Sequence, residues 1–584
     1  MLKNVLIANR GEIAVRIIRA CRDLKVGTVA VYSDADEHAL HVRLADAAFR
    51  LGPAPARDSY LNIDAIIAAA RASGADAVHP GYGMLSENAA FAQAVADAGL
   101  IFIGPPADVI GVMGDKVAAR AAAHACGLPI LPGADVIDSD AAGTHHNAER
   151  IGYPIAVKAC FGGGGRGIRA VHDATELDAA FASAVRESIN AFGRGEIYLE
   201  RYLDRPRHVE VQIVADNHGN VLHLGDRDCS VQRRHQKLVE EAPAPNLPTA
   251  LREEMLRAAV TLAQSVKYVG AGTVEFLVDH ALTAFYFLEM NTRLQVEHGV
   301  TELVTGRDIV KLQLRIAAGE RLGLTQKQVR VSGHAIQARI AAEDPWRRFA
   351  PQPGRCGALR LPGGRGVRCD FGIESNDAIA AEYDSMFGKI LVVSDDRESA
   401  CAKLVSALTE FSADGVVTTA PYLAQVLVKP DFAAATHDTG SVERDWAPEG
   451  EQREPAPSPT SIRPAERRVN IATDRGVLNV RIGGLAHTAA AAATGGVAGR
   501  QTAHADARAA ASADPISPMD GLVISVAVNV GDIVTAGDLI ATLEAMKMEM
   551  PILAQRAGQV AAVNVRAGDA VTTGARLCTI APAA

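Results

Sequence analysis

No two cysteines in this sequence stand in a C-x-x-C pair. The eight of them (Cys21, Cys126, Cys160, Cys229, Cys356, Cys369, Cys401, Cys578) are scattered, which speaks against a disulfide framework or a zinc site and makes a reducing cytoplasm the simplest home. Long apolar runs are missing too. None approaches the 18 or so residues of a membrane helix, and the start has only Val5 to Ala8 before Asn9 and Arg10 interrupt it, too short for a secretory core. Nor does one sign of charge dominate: 59 Lys and Arg face 68 Asp and Glu, for a net −9. A pI near 6.0 gives no overall attraction to nucleic acid or anionic lipid. What remains, 48% hydrophobic and 22% charged over 584 residues, is ordinary globular composition, with length for about three to five domains.

From residue 3 to 110, short apolar runs alternate with helical periodicity: Asn4 to Ala8, a helix over Ile13 to Cys21, then Gly27 to Tyr32, with later strand candidates at Ala75 to His79 and Leu100 to Ile103. That order predicts a parallel sheet covered by helices. Between Ile155 and about Val278 the strands become antiparallel in character, an α+β pattern. Residues 447–514 read as a Pro- and Ala-rich linker, with a candidate hairpin over 469–482. The last 70 residues hold an internal repeat: Gly521, Val523, Val526, Val528, Gly531, Asp532, Val534 and Gly537 recur 37 positions later, from Gly558 to Gly574. Two β-rich halves with G-D turns predict a small flattened barrel or sandwich. Lys547 falls where the halves meet, so it is expected on an exposed turn.

Four segments carry chemistry. In Gly162-Gly-Gly-Gly-Arg-Gly167, including Gly163, Gly164 and Gly165, consecutive glycines let backbone N–H groups approach phosphates, with Lys158 and Lys116 as cations. It lacks the Lys-Ser/Thr ending of a P-loop, and a plain flexible hairpin is the alternative. In the strand pair 273–279 and 283–291, a turn about Leu282 sets Glu275 opposite Glu289. Facing carboxylates cost stability unless a cation lies between them. Magnesium with Asn291 as a further oxygen ligand resolves that conflict; carboxylates turned to solvent, or paired with Arg or Lys, also would. Arg293 and Glu297, within Asn291 to His298, suit an anion site and a base, against a charged surface turn. Asp226 to Lys237, taken without context, reads as a solvated basic face or a nucleic-acid patch. The fourth segment is Ala545-Met-Lys-Met548, where the repeat favours an attachment site over a solvated lysine.

Asn9 to Ala14, His79 to Gly83 with Leu85 to Asn88, the glycine-rich loop, Arg227 to Ser230 with Gln232 to Lys237, Glu289 to Arg293 with Gln295 to His298, and Tyr383 to Met386 together resemble biotin carboxylase. Residues 515–584 resemble a biotin carboxyl carrier domain, and the whole resembles the α subunit of a bacterial acyl-CoA carboxylase of acetyl- or propionyl-CoA type. The resemblance implies a multidomain α/β and α+β architecture, an ATP-grasp biotin carboxylase followed by a small all-β biotinyl domain. Its parts would be an α/β domain over 1–114, an ATP-grasp region over 115–320 with a lid at about 131–203, a C-terminal region over 330–446, the linker, and a carrier over 515–584. Lys547 would carry biotin. Lys116, Lys158, Glu200, His208, Gln232 and His235 would bind ATP, and Glu275, Glu289 and Asn291 would hold magnesium, with manganese as the alternative ion. Lys237, Arg293, Gln295 and Val296 would hold bicarbonate, Glu297 would deprotonate it, and Arg339 would stabilise the biotin enolate. Bicarbonate would attack the γ-phosphate of ATP, and the carbon dioxide from carboxyphosphate would be trapped on biotin.

Three positions depart from the family pattern: Gly299 where proline is usual, Gln337 where glutamate is common, and Met84 for phenylalanine. Gln337 removes a negative charge near the expected biotin site. The carrier also lacks the thumb insertion of some relatives. With no carboxyltransferase in the sequence, the expected partners are a separate carboxyltransferase β subunit, biotin protein ligase and a second copy of the chain, with neither nucleic acid nor membrane. The same half-reaction would serve a pyruvate or methylcrotonyl-CoA carboxylase. A decayed, non-catalytic carrier is disfavoured by the number of reactive residues retained, and a lipoyl carrier by the methionine before Lys547.

Overall fold

In the computed structural model the amino-terminal alternation becomes a five-stranded sheet. The structure describes residues 2–134, 141–159, 169–192, 197–450, 467–473, 476–482, 514–518, 521–545, 548–571 and 574–581. Strands β1 (Asn4–Ile7), β2 (Gly27–Ser33), β3 (Ala47–Gly52), β4 (Ala77–His79) and β5 (Ile101–Phe102) lie in the order β3-β2-β1-β4-β5. All pair in parallel. Helix α1 (Gly11–Asp23) covers β1 with Ile13, Ile17, Ile18 and Cys21, the spacing of one helical face. Strand β3 had no apolar signal in the sequence because it is an edge strand whose residues stay partly exposed. Strand order reverses between β1 and β4, and the crevice of an open parallel sheet forms at such a point. There the Asn9 side-chain amide donates to the carbonyls of Pro80 (2.7 Å) and Tyr82 (2.8 Å), tying two of the motif segments together.

Helix α2 (Lys116–Ala125), N-capped by Asp115, precedes a small antiparallel sheet of β6 (Gly133–Ala134), β7 (Ile155–Ala159), β8 (Arg169–Val171) and β9 (Ile197–Arg201), in the order β6-β9-β7-β8. Its core is Ile155, Val157, Val171, Ile197 and Leu199, with Leu177 of helix α3 (Ala174–Phe192).

An eight-stranded sheet positions the site. Its strands are β10 (Arg207–Ala215), β11 (Val221–Arg233), β12 (Gln236–Ala242), β13 (Gly270–Val278), β14 (Phe285–Asn291), β15 (His334–Ala341), β16 (Val367–Phe371) and β17 (Met386–Ser394). They lie in the order β14-β13-β10-β11-β12-β15-β17-β16. Every residue of β10 is buried, because helix α4 (Thr249–Ser265) packs on one face while α5 (His298–Thr305) lies across the other side of the neighbouring strands. Side chains alternate faces along a strand. Ile336, Ala338 and Ile340 of β15 therefore join the core under helix α6 (Arg397–Glu410). Ala335 and Leu391 pack instead with Val300 and Val304 of α5, and this is the face on which Gln337 and Arg339 lie.

Further on, β18 (Arg467–Thr473) and β19 (Gly476–Ile482) form an antiparallel hairpin with Val469 opposite Val480. The carboxy-terminal unit has two sheets. One is β20 (Gly521–Val526), β22 (Leu539–Ala545), β23 (Met548–Leu553) and β25 (Ala570–Val571); the other is β21 (Ile533–Val534), β24 (Gly558–Val563) and β26 (Cys578–Ala581). The sequence repeat is a structural repeat. Val523 and Val560, and Val534 and Val571, are all buried in one core, and Gly531 with Gly568, and Gly537 with Gly574, all take positive φ. Among the described residues, no helix is long and apolar enough to cross a membrane.

Candidate active site

Two hairpins and one loop bring the predicted residues together. In the β13–β14 hairpin, Glu275 stands opposite Glu289 and Thr273 opposite Asn291, so the two carboxylates face each other in register. Glu289 opens to solvent, yet the cleft walls desolvate it and, with Glu275 and Glu87 beside it, raise its pKa. Asn291 is buried with its Nδ2 lacking a hydrogen-bond partner, while its Oδ1 accepts from Arg293 (2.9 Å). Paired acids under strain and an oxygen-bearing amide beside them form a donor set that fits a hard divalent ion such as magnesium.

The β11–β12 hairpin turns through Arg234 and His235, both at positive φ (47° and 64°), with Arg233 opposite Gln236. A two-residue turn with both φ positive suits the twist of the strands and favours Asn-Gly. Holding Arg-His there costs on the order of 1 kcal/mol per residue, a strain that keeps His235 exposed at the tip. Behind it Gln232 is buried and stands opposite Lys237. The reading of Asp226 to Lys237 as a solvated basic face is corrected here. Asp226, Arg227, Asp228, Ser230 and Gln232 are buried, because Arg227 is held by Glu210 (2.5 Å), Gln212 (2.7 Å), Thr301 (3.0 Å) and Thr273 (3.1 Å), and Asp228 by Arg207.

Lys237 is the hub. Its Nζ donates to Glu210 (2.6 Å), Glu275 (2.9 Å) and Glu297 (2.7 Å). Burial works against its charge, but Cys229 and the three carboxylates outweigh burial and hold the ammonium well above the usual lysine range. Glu297 is wholly buried at the N-terminus of α5, and its second oxygen accepts from Arg339 (3.0 Å). Burial would raise its pKa, yet Lys237, Arg339 and Arg227 bring it far below the carboxylate norm. Glu275 is likewise lowered, against burial, by Lys237 and His208, with His208 Nε2 at 3.0 Å. His208 is in turn raised by Glu275 against the effect of burial.

Arg293 donates to Glu87 (2.8 Å) and Gln295 (2.9 Å), and Gln295 donates to Glu275 (3.1 Å). The Val296 carbonyl accepts from Lys389 Nζ (2.6 Å), a fully buried lysine that also pairs with Glu12 of α1 (3.1 Å). Amino-terminal motif and anion loop are thus braced together. Glu200, on β9, pairs with Arg120 of α2 (2.5 Å). Lys116 is exposed at the start of α2, and Lys158 lies on β7 opposite Tyr198. Gly163, Gly164, Gly165 and Lys547 lie outside the described residues; β22 and β23 pair up to Ala545 opposite Met548 on either side of the last.

The sequence reading did not single out Glu87, Glu210, Glu240 or Lys389. A signal existed for one of them: Glu210 sits in Arg207–Ala215, an otherwise largely apolar strand where a charge needs a partner.

Residues 1–110 match the family described as biotin carboxylase, N-terminal domain, residues 115–325 the carbamoyl-phosphate synthase L chain ATP-binding domain, residues 337–444 the biotin carboxylase C-terminal domain, and residues 513–580 the family described as biotin-requiring enzyme. The biotin-dependent acyl-coenzyme A carboxylase alpha3 subunit of Mycobacterium leprae is 44% identical across 99% of this chain and 98% of its own. The chain belongs to the biotin-dependent carboxylases. Within that family, a pyruvate carboxylase polypeptide from Methanothermobacter thermautotrophicus is 49% identical over 72% of this chain and 86% of its own length is not needed to see the likeness in a second solved relative: biotin carboxylase of Pseudomonas aeruginosa is 50% identical over 72% of this chain and 93% of its own. The biotin carboxylase domain dimer of Hydrogenobacter thermophilus 2-oxoglutarate carboxylase, solved with MgADP, ADP and bicarbonate, superposes with a TM-score of 0.73 at 44% identity, covering 77% of this chain and all of that one. The chain is a biotin carboxylase and carrier subunit, an ATP-grasp enzyme followed by an all-β biotinyl domain. ATP, magnesium, bicarbonate and biotin are its substrates and cofactors.

Proposed function

We propose that this subunit serves an acyl-CoA carboxylase of acetyl- or propionyl-CoA type, charging biotin on Lys547 and passing the carboxyl group to a separate carboxyltransferase β subunit. The full-length likeness to an acyl-CoA carboxylase subunit carries this reading. Its parts would be 1–114, 115–320 with a lid near 131–203, 330–446, a linker over 447–514 and a carrier over 515–584. A biotin protein ligase would modify Lys547, and two copies would pair through the carboxylase region. The seven described cysteines are free thiols, which supports a cytoplasmic setting.

In this reading Glu275, Glu289 and Asn291 hold magnesium, which when bound offsets charge on the phosphates. Lys116, Lys158, Gly163, Gly164, Gly165, Glu200, His208, Gln232 and His235 contact ATP. Lys237, Arg293, Gln295 and Val296 hold bicarbonate. Glu297 takes its proton, and the base is tuned by its clasp. Paired with Lys237 and Arg339 it is fully ionised but a weak base. As those cations share their charge with arriving anions, its pKa rises and it becomes able to accept the proton. Arg339 supplies a fixed cation for the biotin carbonyl oxygen.

The test is to purify the holo chain with its partner and assay carboxyl transfer to acetyl-CoA, propionyl-CoA, methylcrotonyl-CoA and pyruvate. Preference for either of the first two supports the proposal; preference for methylcrotonyl-CoA or pyruvate overturns it. Glu297→Gln should lower bicarbonate-dependent ATP cleavage by about 100-fold or more, and wild-type turnover would refute its role as base.

A further inference from the structure

Two positions at which the chain departs from the biotin carboxylase pattern meet in the structure. A Cβ placed on Gly299 would collide with Leu391 Cδ2 and would lie 3.8 Å from Gln337 Oε1. Gln337 is wholly buried. Its Nε2 donates to Glu240 Oε2 (2.9 Å), while its Oε1 has no hydrogen-bond partner. Glu240, equally buried, accepts on its other oxygen from Arg339 Nε (2.5 Å), and Arg339 Nη2 reaches Glu297 (3.0 Å). The four side chains form one line: amide, carboxylate, guanidinium, carboxylate.

We propose that Gln337 is a positioning residue for biotin carboxylation: its neutral amide fixes Glu240, and Glu240 in turn fixes the Arg339 guanidinium against Glu297. This rests on the role proposed above for Arg339. Packing alone does not account for the amide. Methionine would fill a similar volume without burying an unpaired oxygen, which is a cost. The N–H to Glu240 is what the amide adds. Neutrality matters as well. Lys237 and Glu240 from β12, Arg339 from β15, Glu297, His298 and Glu302 at and along α5, Arg368 from β16 and Lys389 from β17 surround this spot. Arg368 is engaged by Glu302 (2.7 Å) and Asp370 (2.7 Å), and Lys389 by Glu12 and Val296. A second carboxylate at 337 would therefore compete with Glu240 and Glu297 for Arg339 unless the pair shared a proton.

The experiment compares Gln337→Met and Gln337→Glu with the native full-length chain. It reads carboxylation of free biotin, bicarbonate-dependent ATP cleavage without biotin, both from acid to alkaline pH, and the crystal structure of each variant. Gln337→Met should lower kcat for free biotin about tenfold, with biotin-independent ATP cleavage within about twofold of native. Gln337→Glu can donate to Glu240 only while protonated. It should approach native biotin carboxylation at low pH and lose it through a new ionisation as pH rises. Native kcat in Gln337→Met, equal loss of both activities, or a Gln337→Glu profile parallel to the native one would overturn the proposal. Arg339→Met separates the two readings. If it still carboxylates biotin, the role of Arg339 fails, and the positioning claim is then decided by whether Arg339 keeps its bond to Glu240 in the Gln337→Met crystal structure; a kept bond overturns it.

Discussion

Replacing Lys237 by Met removes one positive charge from between three buried carboxylates. At contacts of 2.6, 2.9 and 2.7 Å, an effective dielectric constant of about 20 gives roughly 6 kcal/mol of Coulomb attraction per pair. Most of that is offset by the cost of desolvating the lysine, and breaking a buried pair by removing one partner costs about 3–5 kcal/mol net. For a domain of this size the loss corresponds to a drop of roughly 10 °C in Tm. The pH dependence is more telling than the size. Glu275 and Glu297 have folded-state pKa values below the unfolded ones. They stabilise the native chain above the unfolded carboxylate pKa of about 4.3, and that stabilisation is lost as pH falls. Without Lys237, a carboxylate left buried is raised instead, so the variant is destabilised as pH rises. Calorimetry of the full chain from about pH 5 to 8 should show the native-to-variant gap widest at the alkaline end and narrowing toward acid. A gap constant with pH, or an unchanged Tm, would refute the view that Lys237 keeps these acids ionised.

Lys547→Ala should abolish streptavidin reactivity while sparing ATP-dependent carboxylation of free biotin; a retained label would place the biotin elsewhere. Arg227→Leu should cost about 3–5 kcal/mol because Glu210 loses its buried fork, and adding Glu210→Leu should recover part of that in urea unfolding. Additive losses would mean that the pair is not coupled. Glu289→Gln should raise the magnesium concentration for half-maximal ATP cleavage about 10-fold or more. It should also raise Tm slightly without metal, since the pKa of Glu289 is raised by burial and Glu275; an unchanged magnesium dependence would remove it from the metal site.

The β13–β14 register was legible because two acids at fixed distance from a turn must either face each other or slip, and they face. The carboxy-terminal repeat was legible because its glycines occupy positive-φ turns that few other residues fill. The supporting shell was not. Glu240, Glu210 and Lys389 lie far in sequence from what they hold: Glu240 is 99 residues from Arg339 and Lys389 is 93 from Val296. Periodicity and local motifs carry no information about such pairings. The hidden fate of Asp226 to Asp228 has the same origin. The charges were plain in the sequence, but Arg207 and Glu210, which neutralise them, sit on the neighbouring strand.

That neutralisation changes what it means for this enzyme to bind its substrates. The sequence suggested a nest of free cations awaiting anions, whereas Lys237, Arg293 and Arg339 are each already engaged by carboxylates of the chain itself. Bicarbonate and nucleotide do not enter a vacancy of positive charge; they displace internal tenants. Substrate capture is then an exchange of counter-ions at nearly constant net charge, and the apparent affinity for bicarbonate should vary little with ionic strength, whereas a steep decline with added salt would mark the cations as unoccupied.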